Sequence, residues 1–252
     1  MDTNTGSKLK KMLSLHRPGS VMLSGWLEEN GISRDLQKVY KRSGWLQAIG
    51  AGAVKRPDDN LTWQGGVFAL QQQAHLPVHA GALTALTLQG FSHFFRTQQS
   101  VFLFAPRKTK LPLWLKNYDW GTELHFVPTS VLPTDIGLTT YEEKNFAITI
   151  AAPERAILEC LYLAPEGFDL VECYHLLESL TNLRPSLIQE LLQKCTSVKI
   201  KRVFLYMASR AQHQWLSFVD RSKIELGSGV RSLVKGGTYN AEYKISLPKE
   251  LA

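Results

Sequence analysis

Two glycine turns constrain the start of this chain more than any other feature. Asn30-Gly31 separates two short amphipathic segments, and Gly50-Ala51-Gly52 follows the second. The backbone must therefore run helix, turn, helix, hairpin. Ahead of the first turn, Ser7 is expected to cap a helix through about residue 16, with Leu9, Met12, Leu13 and Leu15 inward and Lys8, Lys10 and Lys11 outward. Arg17-Pro18-Gly19 stops that helix. Ser24 is expected to cap a second one carrying Trp26 and Leu27, and Ser33 a third ending near Arg42. In the third, Leu36, Val39 and Tyr40 are expected to pack on the first two. Residues 45–49 and 53–56 read as strands joined by the second glycine turn, and a hairpin directly after such a helix is a wing.

Charge singles out the same region. Residues 1–57 hold ten of the 29 Lys and Arg but four of the 22 Asp and Glu, which places +6 of the +7 net charge there. Such an imbalance points to nucleic acid, and the expected partner is double-stranded DNA. Arg34, Gln37, Lys38 and Lys41 are spaced i, i+3, i+4 and i+7, so they share one face of the third helix. Ser33, Arg34, Gln37 and Lys38, at its N-terminal end, are the candidates for base readout: Arg matches guanine and Gln matches adenine. Lys41, Arg42, Lys55, Arg56, Lys8, Lys10 and Lys11 are better suited to phosphates. Solvated surface helices carry similar charges; here the turn, caps, wing and charge asymmetry all agree.

Beyond Pro57-Asp58-Asp59-Asn60 the composition changes. Residues 61–73 read as a helix in which Gly65-Gly66 implies close packing, and residues 81–89 as a mostly apolar helix buried between domains. From Phe91 the period shifts toward two, with strands at 100–105, 123–127 and 146–150 and a short helix at 112–116. Helices follow at 153–164, 169–179, 185–195 and 198–212, then strands at 230–235 and 243–247. The expectation is an α+β chain: a winged helix-turn-helix domain with linking helices over 1–90, and a mixed α/β C-terminal domain over 91–252. A second basic cluster, Lys194, Lys199, Lys201 and Arg202 with Arg184 and Arg210 at its ends, either meets an acidic protein or RNA or is simply solvated.

Several function classes lack their residues. Cys160, Cys173 and Cys195 form an odd set without a CxxC pair and read as reduced, buried thiols. No apolar run is long enough for a membrane span and the N-terminus is polar, so a soluble, cytoplasmic protein with no membrane partner is expected. No phosphate-loop motif or GxSxG elbow occurs. Pro77 lies between His75 and His79 and argues against a helical metal pair, and neither metal nor cofactor is expected. The one enzyme alternative is Glu242-Tyr243-Lys244, whose carboxylate and amine would share a strand face. With Asp220 they would form a magnesium-dependent nuclease site.

Several segments together resemble the AbiEi-type antitoxins and transcriptional regulators of bacterial type IV toxin-antitoxin systems. They are Ser43-Gly44-Trp45-Leu46, Trp63-Gln64-Gly65, Ala69-Leu70-Gln71-Gln72-Gln73, Leu76-Pro77-Val78-His79 and Ala152-Pro153-Glu154-Arg155-Ala156. Further along come the stretch from Leu180-Thr181 to Arg184-Pro185, Val198-Lys199-Ile200-Lys201-Arg202 and Val234-Lys235-Gly236-Gly237. The resemblance implies a winged helix that binds operator repeats and represses its own operon. It also implies a C-terminal domain that opposes a nucleotidyltransferase-like toxin without a stable complex. It agrees with Lys38, Lys41 and Arg42 as DNA contacts. A plain DNA-binding regulator without antitoxin activity is the alternative.

Overall fold

The computed structural model describes residues 3–91 and 100–251. In chain order α1 (Thr3–Leu15), β1 (Met22–Leu23), α2 (Ser24–Glu29), α3 (Arg34–Arg42), β2 (Gln47–Gly50) and β3 (Ala53–Lys55) form the N-terminal motif. Next come α4 (Trp63–Phe68), a π-helical turn (Ala69–Gln73), β4 (His79–Ala80), α5 (Ala82–Leu88), β5 (Ser100–Ala105) and α6 (Leu113–Asn117). Strands β6 (Glu123–Pro128), β7 (Leu138–Glu142) and β8 (Ala147–Ala151) lead into α7 (Pro153–Leu163), α8 (Leu170–Ser179), α9 (Pro185–Lys194) and α10 (Val198–Arg210). Short strands β9 (Arg231–Ser232), β10 (Thr238–Asn240) and β11 (Ile245–Leu247) follow near the end. The fold is α+β, with an N-terminal winged helix-turn-helix. Of the stretch from Phe91 over which the period-two pattern was expected to begin, residues 92–99 lie outside the described residues; the strand itself begins at Ser100. Two compact units interleave along the sequence: Met1–His79 with Lys108–His125 and Thr140–Thr149, and Ala80–Arg107 with Phe126–Thr139 and Ile150–Ala252.

In the first unit, Met12, Met22, Leu27, Ile32, Tyr40, Leu46 and Val54 make the core of the winged helix, with Leu9, Leu13, Trp26 and Leu36 packed against it. Burying side chains of this size stabilises by roughly 1.5–3 kcal/mol each. Helix α1 starts at Thr3, ahead of the expected Ser7 cap. Ser24 is not a cap either. Leu23 holds the extended cap position because β1 forms immediately before α2, and the Ser24 amide donates to the Gly52 carbonyl at 2.8 Å. The wing sheet has the order β1-β3-β2, with Met22 opposite Val54 and Gln47 opposite Lys55.

The outer edge of β1 is closed by one side chain. Buried Gln73 accepts from the Leu23 amide and donates to the Val21 carbonyl, both at 2.8 Å. Gln71 bridges the Val78 and Thr149 main chains in the same way. The expected 61–73 helix begins only at Trp63, under a Thr62 hydroxyl cap, and widens into a π-helical turn at Ala69. Its glycines do pack closely: a Cβ on Gly65 would stand 2.0 Å from the Gly19 carbonyl oxygen.

In the second unit α5 packs on α7, around which α8, α9 and α10 also gather. The five-stranded sheet runs β6-β5-β4-β8-β7, with Ala80 paired in parallel to Ile150. Glu159, 1% exposed, accepts from Arg155 Nε at 2.7 Å and from the Ala82 amide at 3.0 Å. Gly81 leaves room for that carboxylate, which a Cβ would approach to 2.1 Å. The third sheet, β10-β11-β9, is smaller than the expected C-terminal strands, because residues 241–244 form a turn in which Lys244 has φ +52°. All three cysteines are free thiols and buried.

Candidate nucleic-acid interface

Helix α3 is positioned from its N-terminal end and along its inner face. Ser33 Oγ accepts from the Leu36 amide at 3.3 Å, and the Gly31 turn ahead of it has φ +83°, a conformation that favours glycine. Tyr40 and Gln37 hold its inner face. Gln37 is 2% exposed and donates to the Ser24 carbonyl at 3.0 Å and the Ile32 carbonyl at 2.8 Å. This removes Gln37 from base readout: its amide is spent on joining α3 to α2. Val39, expected in the core, is 49% exposed instead. Ser33, with its hydroxyl committed as a cap, sits on the surface at the helix start.

The solvent face of α3 thus consists of Arg34, Asp35, Lys38, Val39, Lys41 and Arg42. Arg34 Nε pairs with Glu28 Oε2 at 2.5 Å, and Lys38 Nζ with Asp35 Oδ1 at 2.9 Å. Exposed pairs of this kind contribute roughly 0–1 kcal/mol, so a phosphate can displace either carboxylate. Lys41 and Arg42 extend the positive face toward the wing. Asp35 and Val39, which were not among the residues expected from the sequence, also lie on this face; a carboxylate can accept from a cytosine amino group, and an apolar side chain can contact a thymine methyl. The signal was available, since Gln37 stands one turn before Tyr40 whereas Val39 does not.

Three further groups flank this face. Lys8 and Lys11 of α1 come together over the helix-turn-helix turn, where a Cβ on Gly31 would lie 3.1 Å and 4.0 Å from their Nζ atoms. Lys10 is exposed on the same helix. On the wing, Lys55 and Arg56 are only half exposed. Lys55 Nζ donates to the Asp59 carbonyl at 2.8 Å, and the Arg56 guanidinium lies 5.3 Å from the ring centre of Trp45. His16 Nε2 meets Asp59 Oδ2 at 2.6 Å and ties the end of α1 to the loop after the wing.

The second basic cluster does not survive as a surface. Arg202, 1% exposed, donates to the main-chain carbonyls of Leu226, Gly227, Gly229 and Lys244 and so organises the C-terminal loops. Lys201, also buried, donates to the Glu225 carbonyl. Half-buried Lys199 donates to the Ala164 carbonyl at 2.7 Å, and burial lowers its pKa. Arg184 grips Glu154 through Nε and Nη2, Lys194 pairs with Glu190, and Arg210 donates to the Leu251 carbonyl. Lys201 and Arg202 are therefore anchors; Arg184, Lys194 and Arg210 remain exposed.

The nuclease arrangement is not assembled. Glu242 and Lys244 lie in the turn before β11, Glu242 against Arg221 at 3.6 Å and Lys244 reaching the Ser228 carbonyl at 3.4 Å. Asp220 caps a separate 3-10 turn through the Ser222 amide. His75 has φ +50° and His79 is buried in β4, so no helix joins them. Among the described residues no helix is long and apolar enough to cross a membrane.

A glycine-turned helix pair, a three-stranded wing sheet and a cationic outer face on α3 define a winged-helix regulator joined to a larger α+β body. The chain belongs to the AbiEi antitoxin family of transcriptional regulators of type IV toxin-antitoxin systems. Residues 5–97 match the family's N-terminal domain, and residues 98–248 match the model described as transcriptional regulator, AbiEi antitoxin, type IV toxin-antitoxin system. Among solved structures, the RV2827C protein from Mycobacterium tuberculosis shares the fold with a TM-score of 0.60 at 14% identity, over 97% of this chain and 92% of that one. No curated protein matches significantly.

Proposed function

We propose that this chain represses its own promoter by binding repeats in duplex DNA, and that it counters a nucleotidyltransferase-like toxin in the cytoplasm without forming a stable complex with it. The carrying observation is the exposed run Arg34, Lys38, Lys41 and Arg42 on α3, flanked by Lys8 and Lys11 at the turn. Repression works by occlusion: phosphate contacts seat α3 in a major groove, Ser33, Arg34, Asp35, Lys38 and Val39 face base edges, and polymerase is excluded. Residues 1–90 supply this reading head and residues 91–252 the antitoxin function, for which exposed Arg184, Lys194 and Arg210 are candidate contacts. No catalytic role is assigned.

The test is binding of the full-length chain to the DNA upstream of its own reading frame, measured over a range of salt. Replacing Lys38, Lys41 and Arg42 together with alanine should flatten the slope of log K against log salt by about three units. An unchanged slope removes these residues from the interface. Co-expression with the adjacent toxin gene separates the repressor-antitoxin from a plain regulator, which would repress without rescuing growth.

A further inference from the structure

We infer that the DNA-contacting surface continues past the winged helix onto Lys108, Lys110 and Lys116, in the segment against which the wing is packed. This rests on the DNA-binding reading above and moves part of the interface beyond residue 90. The wing tip, Gly50-Ala51-Gly52-Ala53, carries no cation of its own. Phosphate neutralisation supplies much of the affinity for duplex DNA, so a bare tip gains little by approaching the backbone.

Helix α6 lies at that tip. A Cβ on Gly50 would stand 2.6 Å from Trp114 Cβ and 3.0 Å from Trp114 Cα, so the end of β2 and the helix are in backbone contact. Helix α6 is held firmly there. Trp114 and Leu115 are buried, and Trp120 Nε1 donates to the Leu115 carbonyl at 2.7 Å. The opposite side is open: Leu113 is 68% exposed, and exposed Lys116 follows it one turn later. Lys108 and Lys110 are exposed on the approach to the helix. Whereas Lys38, Lys194 and Lys223 have carboxylate partners, none of these three enters an ion pair among the described residues. The nearest carboxylate in sequence, Asp119, accepts from the Gly121 amide. Three unpaired cations therefore flank a wing that has none at its tip. Backbone phosphates are the partners that such exposed cations suit.

The experiment compares full-length variants on a mixed-sequence duplex and on the upstream DNA. Lys108→Ala/Lys110→Ala/Lys116→Ala should reduce the salt slope by about three units. A control removing the same charge from the second unit, Lys223→Ala/Lys235→Ala/Lys249→Ala, should leave the slope nearly unchanged, and thermal melts should show both variants folded. Hydroxyl-radical footprints should lose protection at the wing-side flank only. Retention of the slope and footprint in the first triple variant overturns the inference, as does an equal loss in the control. If the Lys38, Lys41 and Arg42 variant still flattens the slope, DNA binding by α3 stands although the extension fails. Absence of duplex binding by the unmodified chain instead sinks the parent reading.

Discussion

Gln37 and Arg202 are polar side chains that read from sequence as surface contacts and are instead spent on main-chain carbonyls. Gln37→Ala would leave the Ser24 and Ile32 carbonyls without their donor, a loss of about 2 kcal/mol. Urea denaturation should register that loss while the salt slope of DNA binding stays unchanged; the opposite pair of results would return Gln37 to the interface. Arg202→Met strips four carbonyls of one guanidinium. It should cost about 3 kcal/mol or more and open residues 226–244 to limited proteolysis. A variant as stable and as protease-resistant as the parent would restore Arg202 to the surface. The i, i+3, i+4, i+7 spacing of Arg34, Gln37, Lys38 and Lys41 says which residues are neighbours on a helix, not which side faces the core. The exposure of Lys41 and Arg42 was legible because lysine and arginine are rarely buried unpaired; the burial of Arg202 was not, because its partners lie 24 to 42 residues away.

At the scale of elements, local chemistry was readable and distant pairing was not. Ser33 and Asp169 cap α3 and α8, and Pro153 and Pro185 open α7 and α9, as their positions before apolar periodic runs imply. Strands β1 and β4 have two residues each and depend on Val54 and Ile150, which no short window contains. The junction of α7 and α9 carries a pH prediction. Glu154, in the first turn of α7, accepts from the Arg184 amide, Nε and Nη2 at 2.9–3.0 Å. Burial pushes the Glu154 carboxyl up, but the Arg184 hydrogen bonds outweigh it and hold the pKa below its ordinary 4.5. A carboxyl depressed in the folded state contributes stability that is fully present above 4.5 and is lost as pH falls through the depressed value. Wild type should therefore lose stability below about pH 4.5 more steeply than Glu154→Gln, which is weaker at neutral pH by about 2 kcal/mol. Parallel acid limbs in urea midpoints against pH would remove Glu154 from this role.

Across the whole molecule, the first 57 residues concentrate the charge while the remaining 19 basic and 18 acidic ones nearly balance, the sequence-level pattern expected if the two proposed tasks are divided along the chain. The compact units do not follow a single cut in the chain, since residues 108–125 and 140–149 belong with the N-terminal motif. Long-range packing of this kind, such as Gly50 on Trp114, leaves no periodic signature and was not legible. It also dictates how the tasks should be separated: by surface substitution in the intact chain, because a truncation near residue 90 would strip the first unit of α6 and leave Gly50 without Trp114. Lys38→Ala/Lys41→Ala/Arg42→Ala alters exposed side chains only, so its stability should stay within about 0.5 kcal/mol of wild type. A promoter reporter should be fully derepressed by this variant, whereas growth in the presence of the proposed toxin should still be rescued. If repression and rescue fall together at equal protein levels, then DNA binding is itself the antitoxin mechanism, and the C-terminal half is needed for the stability of the reading head rather than for a second activity.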